Sequence, residues 1–314
     1  MKTGMRSLTR AGLAAGLLAL GLQFPAIGAA PSFRVATYNL ENYLDLAAGT
    51  RAAKSAESRS KIQESILAIK PDVLALQEIG GTNALLELRA SLKVAGLDLS
   101  HWEHVTGFDT NIHVALLSRF PVTARIPHTK ENFLLSGRRF QVSRGFAEVE
   151  IQVNPAYRFT LITAHLKSRR PIPEADEAEL REQESLKLRE IIDARLRANP
   201  ELNLIVLGDF NDVKDSKSTR ALIGRGRNAL VDTRPAERNG DNQPNPNPRY
   251  EPRNITWTHY YGKEDTYSRI DYILISHGMA KEWVPAETYI PSLSNWGVGS
   301  DHRPIVATFL DKDQ

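Results

Sequence analysis

Short apolar runs that stop abruptly at polar clusters organise this chain. Residues 33–40 form one such run and end among Asn39, Glu41 and Asn42, while residues 73–76 lead into Gln77 and Glu78. Residues 159–164 lead into His165, and residues 203–207 into Gly208-Asp209. Runs of this length and composition predict strands, as do residues 114–117, 146–153, 270–275 and 305–309. Two longer stretches carry the helical period instead. Residues 57–70 place Ile62, Ile66, Leu67 and Ile69 on one side, and residues 174–199 do the same with Leu180, Leu186, Leu188, Ile191, Ile192 and Leu196. Each is followed by a proline, Pro71 or Pro200, and then by a strand that delivers a carboxylate. This order occurs once in each half of the chain and predicts two similar sheet halves with converging strand ends. From Asp232 to Arg253 the Pro, Asn and Arg content predicts a long irregular surface loop near the site.

Residues 1–30 stand outside this pattern. Lys2, Arg6 and Arg10 precede an apolar stretch over residues 11–22, and small residues follow at Ala26, Gly28, Ala29 and Ala30. That is the order of a secretory signal peptide, and the run is too short to span a bilayer. The expected location is secreted or periplasmic, with cleavage after Gly28 or Ala30 and no membrane anchor afterwards. Without Lys2, Arg6 and Arg10 the 40 basic residues fall to 37, equal to the 37 acidic ones. Bulk charge therefore gives no argument for a nucleic acid partner. Residues 31–314 fit one large α/β domain. The absence of cysteine excludes disulfides, thiolate metal sites and cysteine nucleophiles.

The polar clusters hold the candidate chemistry. Glu78, at a strand end, suits Mg²⁺ or Mn²⁺, hard ions that bind oxygen through few protein carboxylates. A solitary Glu in such a place is more often a cap or a loop residue. Asn39 is a neutral oxygen donor able to share such an ion or hold a metal-bound water, or else an ordinary turn residue. Asp209 and Asn211 alternate, so on a continuing strand both side chains point the same way. Asp209 would then face a water, Asn211 a phosphate oxygen, and Gly208 would allow close approach of the backbone to substrate. Gly-Asp-x-Asn-Asp equally suits an Asx turn, which local sequence favours. His165, with Lys167 and Ser168 beside it, offers a site for phosphoryl oxygens. Asp271 lies in an apolar strand, where an unpaired carboxylate is costly. Its obvious partner is His302, because an Asp–His pair fixes the tautomer and raises the basicity of an imidazole that activates water. Arg138, Arg139 and Arg144 form a basic cluster, as do Arg169 and Arg170; they would follow a nucleic acid backbone or simply balance the acidic helix.

Taken in order, Asn39, Glu78, His165, Asp209-x-Asn211, Arg269-Ile270-Asp271-Tyr272 and Ser300-Asp301-His302 resemble the endonuclease/exonuclease/phosphatase superfamily. That superfamily includes deoxyribonuclease I, exonuclease III-type repair nucleases, neutral sphingomyelinases and inositol polyphosphate phosphatases. The resemblance runs from about residue 33 to residue 310. It implies a four-layered α/β sandwich, two packed mixed β-sheets flanked by helices, and metal-dependent phosphoester hydrolysis at the strand ends. Glu78 would be the main Mg²⁺ ligand, with Asn39 and Asp301 close to the ion. His302, oriented by Asp271, would activate or position the attacking water. Asp209 would assist that water, and Asn211 and His165 would bind and stabilise the phosphoryl group. His165-Leu166-Lys167-Ser168 is similar to the version in deoxyribonuclease I-like and bacterial extracellular nucleases. The resemblance thus points to a nuclease acting on DNA or RNA, with Lys167, Arg144 and Arg169 as substrate contacts and no obligate protein partner. The alternative is phosphatase or phospholipase C-like action on lipid or sugar phosphates. A non-catalytic binding protein on the same fold is a third reading, but decay would strike the ligands first and every motif position is filled.

Overall fold

The computed structural model describes Met1 and residues 31–238, 246–247, 249–250 and 254–314. The expected signal peptide, Met1 apart, lies outside the described residues. In chain order the strands begin with β1 (Ser32–Tyr43), β2 (Val73–Ile79), β3 (His101–Val105), β4 (His113–Ser118), β5 (Val122–His128) and β6 (Asn132–Leu135). They continue with β7 (Arg138–Gln141), β8 (Phe146–Asn154), β9 (Tyr157–His165), β10 (Leu204–Asp209), β11 (Val231–Asp232) and β12 (Ala236–Glu237). The last are β13 (His259–Tyr261), β14 (Thr266–Ser268), β15 (Asp271–Ile275), β16 (Trp283–Ile290) and β17 (Ile305–Leu310). The α-helices are α1 (Ala56–Ile69), α2 (Thr82–Val94), α3 (Glu177–Ala198) and α4 (Lys217–Ile223).

Alternation along the strands decides the layers. On β1, Phe33 and Val35 enter one core, while Ala36, Tyr38 and Leu40 enter another. On β10, Ile205 and Leu207 share the core of Phe33, and Leu204 and Val206 face a third. The shared core lies between two sheets, ordered β12-β16-β17-β1-β2-β4-β3 and β11-β15-β10-β9-β8-β5. Ile62, Ile66, Leu85 and Leu88 of α1 and α2 cover the outer face of the first sheet, and Leu180, Leu188 and Ile192 of α3 cover that of the second. The result is helix, sheet, sheet, helix. Both sheets are mixed, with β1–β2 and β9–β10 as parallel pairs, joined through α1 and α3 respectively. These are the two copies of the order read from the sequence.

Capping explains where the helices stop. Ser55 Oγ accepts from the Ser58 N–H, and Lys70 turns left-handed (φ 47°) just before Pro71. The expected start at residue 174 moves to Glu177, because the Asp176 carboxylate caps the N–H groups of Ala178 and Glu179. The irregular reading of 232–253 holds only in part. Asp232 pairs with Leu274 as the end of β11, and Ala236–Glu237 forms a parallel rung on β16. β1 and β17 are neighbours inside the first sheet, and the Asp311 N–H donates to Pro31 O at 3.2 Å. No helix among the described residues is long and apolar enough to cross a membrane.

Candidate active site

The inward rows of the sheets end in polar residues. Thr37 and Asn39 continue the row of Phe33 and Val35, while Thr163 and His165 continue that of Phe159 and Leu161. Asp209 follows Ile205 and Leu207, and Asp271 opens the row of Ile273 and Ile275. Cross-strand register then sets His165, Asp209 and Asp271 side by side on one sheet. Glu78 breaks parity, which would have pointed it with Leu74 and Leu76 towards the helices. A bulge at Glu78, where φ is 58°, re-aims the side chain. Its carboxylate accepts from the Asn42 N–H at 2.9 Å and lies 3.5 Å from Asn39 Nδ2. Below these groups a buried hydrogen bond from Gln77 Nε2 to Thr163 Oγ1 ties the two sheets, and Thr37 Oγ1 donates to Gln77 Oε1 within the first. Ser300 locks the final segment, donating to Asn39 O at 2.8 Å and accepting the His302 N–H at 3.0 Å.

Asp209 is the hub. Its Oδ2 accepts from Asn39 Nδ2 at 2.9 Å and lies 3.5 Å from His165 Nε2 and 3.8 Å from His302 Nε2. His302 Nδ1 is 2.8 Å from Asp271 Oδ2, so the opposite nitrogen faces Asp209 and Asp301. Burial alone would lower His302, but Asp271, Asp209 and Asp301 outweigh it and hold the imidazole well above its ordinary pKa. Burial pushes Asp209 up to about 7, with Asp271 adding to the shift and the His302 charge opposing it. His165 is driven the other way, first by burial and then by Arg144, His302 and Arg51, which keeps its ring neutral.

A second group of carboxylates adjoins this hub. Burial raises Glu41, and the charges of Asp301 and Glu78 raise it further against the pull of Lys54, whose Nζ is 3.4 Å from its carboxylate. Burial also opposes ionisation of Asp301, yet the His259 contact at 3.5 Å and the His302 charge keep it below the usual carboxylate range. Asn42 Oδ1 is buried with no hydrogen-bond partner among the described residues. Glu41, Glu78 and Asp301 thus feel one another's charge. Among the described residues His259, Asp301 and His302, and likewise Asp209, Asp271 and His302, bring their ligand atoms within 4.8 Å of one another, donor sets that fit a divalent cation. Glu41, Asn42 and His259 were missed at the sequence level. Glu41 and Asn42 sit on the same broken end of β1 as Asn39, both with positive φ, which only the folded backbone reveals.

All eight candidates of the centre, Asn39, Glu78, His165, Asp209, Asn211, Asp271, Asp301 and His302, lie together, and several make contacts that the sequence did not show. Asn39 Oδ1 accepts the Glu41 N–H at 3.0 Å with a second lone pair to spare, and its Nδ2 donates to Asp209. Asn211 lies past the strand in a left-handed Asx turn, its N–H on Asp209 Oδ1 and its Nδ2 on Leu166 O. It holds Asp209 and the His165 loop in place. Gly208 has no room to approach a substrate. An added Cβ would sit 2.0 Å from Ala164 O on the neighbouring strand. Lys167 Nζ caps the carbonyls of Ser168 and Arg170, and Arg169 packs outside on Asn211 O and Asp212. Beyond His165 a cleft of about 880 Å³ is lined by Lys167, Arg170 and the cluster Arg138, Arg139 and Arg144, but not by Arg169.

Residues 36–302 match the model of the Endonuclease/Exonuclease/phosphatase family. The chain belongs to this family. No curated protein matches it in sequence. Its fold is shared by the human Nocturnin catalytic domain with bound sulfate anion at 18% identity and TM-score 0.60, over 90% of this chain and 95% of that one. Truncated Caenorhabditis elegans TDP2 aligns at 18% identity and TM-score 0.59, over 89% and 97%. Sphingomyelinase C from Streptomyces griseocarneus aligns at 18% identity and TM-score 0.57, over 89% and 99%. At these identities the likeness shows the fold alone. Members of the Endonuclease/Exonuclease/phosphatase family are phosphoester hydrolases and generally depend on divalent metal.

Proposed function

We propose that this protein is an exported, Mg²⁺-dependent phosphodiesterase that cleaves DNA or RNA. The observation that carries the reading is the 2.8 Å Asp271–His302 pair aimed at Asp209, beside the oxygen donors Glu41, Glu78 and Asp301. The bound cation would neutralise the phosphate and lower the pKa of an adjacent water. Everything else falls to the chain. Glu78, Glu41 and Asp301 would hold the ion, with Asn42 offering a neutral oxygen. His302 Nε2 takes the proton of the attacking water, while Asp271 fixes the ring and favours its charged form. Asp209, 3.8 Å from that nitrogen, accepts a hydrogen bond from the same water. Neutral His165 donates to the phosphoryl oxygen where charge accumulates. The basic cleft beyond His165 supports a polyanionic substrate.

Exposed Tyr261 and Tyr267 on the β13–β14 hairpin favour a second reading, hydrolysis of a lipid phosphoester, because the bridge of His259 to His302 fastens that hairpin to the centre. A panel of plasmid DNA, single-stranded DNA, RNA, sphingomyelin and inositol phosphates, each assayed with Mg²⁺ and with chelator, decides between them. Turnover confined to sphingomyelin or inositol phosphates removes the nuclease reading. For export, the chain is expressed with residues 1–30 intact. Recovery outside the cytoplasm with a new N-terminus at residue 29 or 31 is expected, and an uncleaved cytoplasmic product refutes it.

A further inference from the structure

We infer that the cleft beside His165 is a second subsite, built to seat the unpaired nucleotide next to the scissile phosphate, and that single-stranded nucleic acid is the preferred substrate. The inference rests on the nuclease reading above. At the inner end of the cleft Arg144 is only 7% exposed, yet its Nε has no hydrogen-bond partner among the described residues. Nη1 donates to Leu166 O at 3.1 Å, and Nε stands 3.9 Å from Asp109 Oδ2. That same oxygen already holds Arg51 Nη2 at 3.1 Å. Arg51 and Arg144 thus share the Asp109 carboxylate, and with Arg138, Arg139, Lys167 and Arg170 they outnumber Asp109, Glu174 and Glu184 in the lining, so the cleft is net positive. A phosphate beside the one being cleaved would meet this positive lining.

The same cleft carries an apolar ring that nothing covers. Phe108 is 68% exposed in the same lining, which leaves its ring free to take a stacked base. Its mount is fixed. A Cβ on Gly107 would meet Gly145 N at 2.4 Å, so the two loops touch backbone to backbone, and the Asp109 N–H donates to Ser143 O at 2.7 Å. A rigid aromatic platform over a basic groove binds single strands by stacking, and a paired base has no free face to offer it. The cavity of about 880 Å³ falls in the range of pockets that enclose a whole small ligand. It has room for a short unpaired stretch.

The test compares kcat/KM on a single-stranded oligonucleotide, on the same sequence as a duplex, and on methyl p-nitrophenyl phosphate, a diester with neither base nor second phosphate. Wild type, Phe108→Ala and Arg51→Ala are assayed with Mg²⁺, after circular dichroism has established folding. The single strand should be cleaved faster than the duplex. Each substitution should lower the ratio of oligonucleotide to small-diester kcat/KM about tenfold. Should Arg51→Ala fail to fold, Phe108→Ala, at an exposed position, carries the test alone. Equal turnover of single strand and duplex, or an unchanged ratio in the folded variants, overturns the subsite and leaves the nuclease reading standing. A wild type that splits the small diester or sphingomyelin vesicles but neither nucleic acid overturns the nuclease reading, and the subsite falls with it.

Discussion

Asp271 and His302 illustrate how much one buried pair decides. Removing either partner leaves the other without its hydrogen bond in a site where both are almost fully enclosed. His302→Ala and Asp271→Asn should each lower kcat by several orders of magnitude. The double variant should be scarcely worse than the weaker single one, since groups acting as a unit are not additive. The pH profile separates this from a bracing role. His302 must lose its proton to act, so activity falls on the acid side, and the three carboxylates that raise its pKa set that limb higher than free imidazole would. Asp271→Asn removes the largest raising influence, so the acid limb of its residual activity should move to lower pH. An unmoved limb, or full turnover per folded molecule in either variant, would show that the pair only braces the strand ends.

At the level of elements, the strands cross so closely that single atoms matter. Gly208 (φ 134°) lies against Ala164 O, and Gly208→Ala should cost at least about 3 kcal/mol in urea unfolding. A wild-type midpoint would refute the packing argument. Glu148 on β8 clasps His128 of β5 at 2.8 Å and Arg195 of α3 at 3.1 Å, fastening the second sheet to its helix. Burial opposes its charge, but the bonds from His128 and Arg195 prevail and depress its pKa. The stabilisation is therefore fully present above the unfolded carboxylate range and lost as pH falls through the folded value. Glu148→Gln should cost about 2 kcal/mol at pH 7, and the difference should shrink as pH falls below the ordinary carboxylate range. A gap unchanged in acid would contradict the assignment. The elements that carry these contacts were mostly legible in the sequence, because buried strands read as apolar runs. The α2 helix was overlooked although Ala84, Leu85, Leu88 and Leu92 have the helical period. The β13–β14 hairpin, short and largely exposed, has no inward row to betray it, and β6–β7 turns only Phe133, Leu135 and Phe140 to the core from two four-residue strands. In the site, identity was legible and orientation was not. The bulge at Glu78 and the Asx turn at Asn211 depend on left-handed backbone that neighbouring strands impose.

For the whole molecule, ion binding and folding are linked, since the oxygen donors come together only when β1, β2 and the segment before β17 are assembled. An ion at a hundred times its Kd should add about 2.7 kcal/mol to stability. Mg²⁺ or Mn²⁺ should therefore raise Tm by a few degrees over chelator, and Glu78→Gln should abolish most of that rise. An undiminished rise in the variant would remove Glu78 from the ligand set. The adjacency of β1 and β17 carries a different consequence. Pro31 O and the Asp311 N–H are already bonded, so residues 31 and 311 can be bridged by a brief linker without disturbing any rung of the sheet. Reopening the ring at Gly96, in an exposed turn after α2, would leave every spatial neighbour in place. Such a circular permutant should fold and keep its turnover, although the chain would then begin in what had been its interior. Loss of activity in a well-folded permutant would mean that the order of synthesis, and not only the final arrangement, matters to this centre.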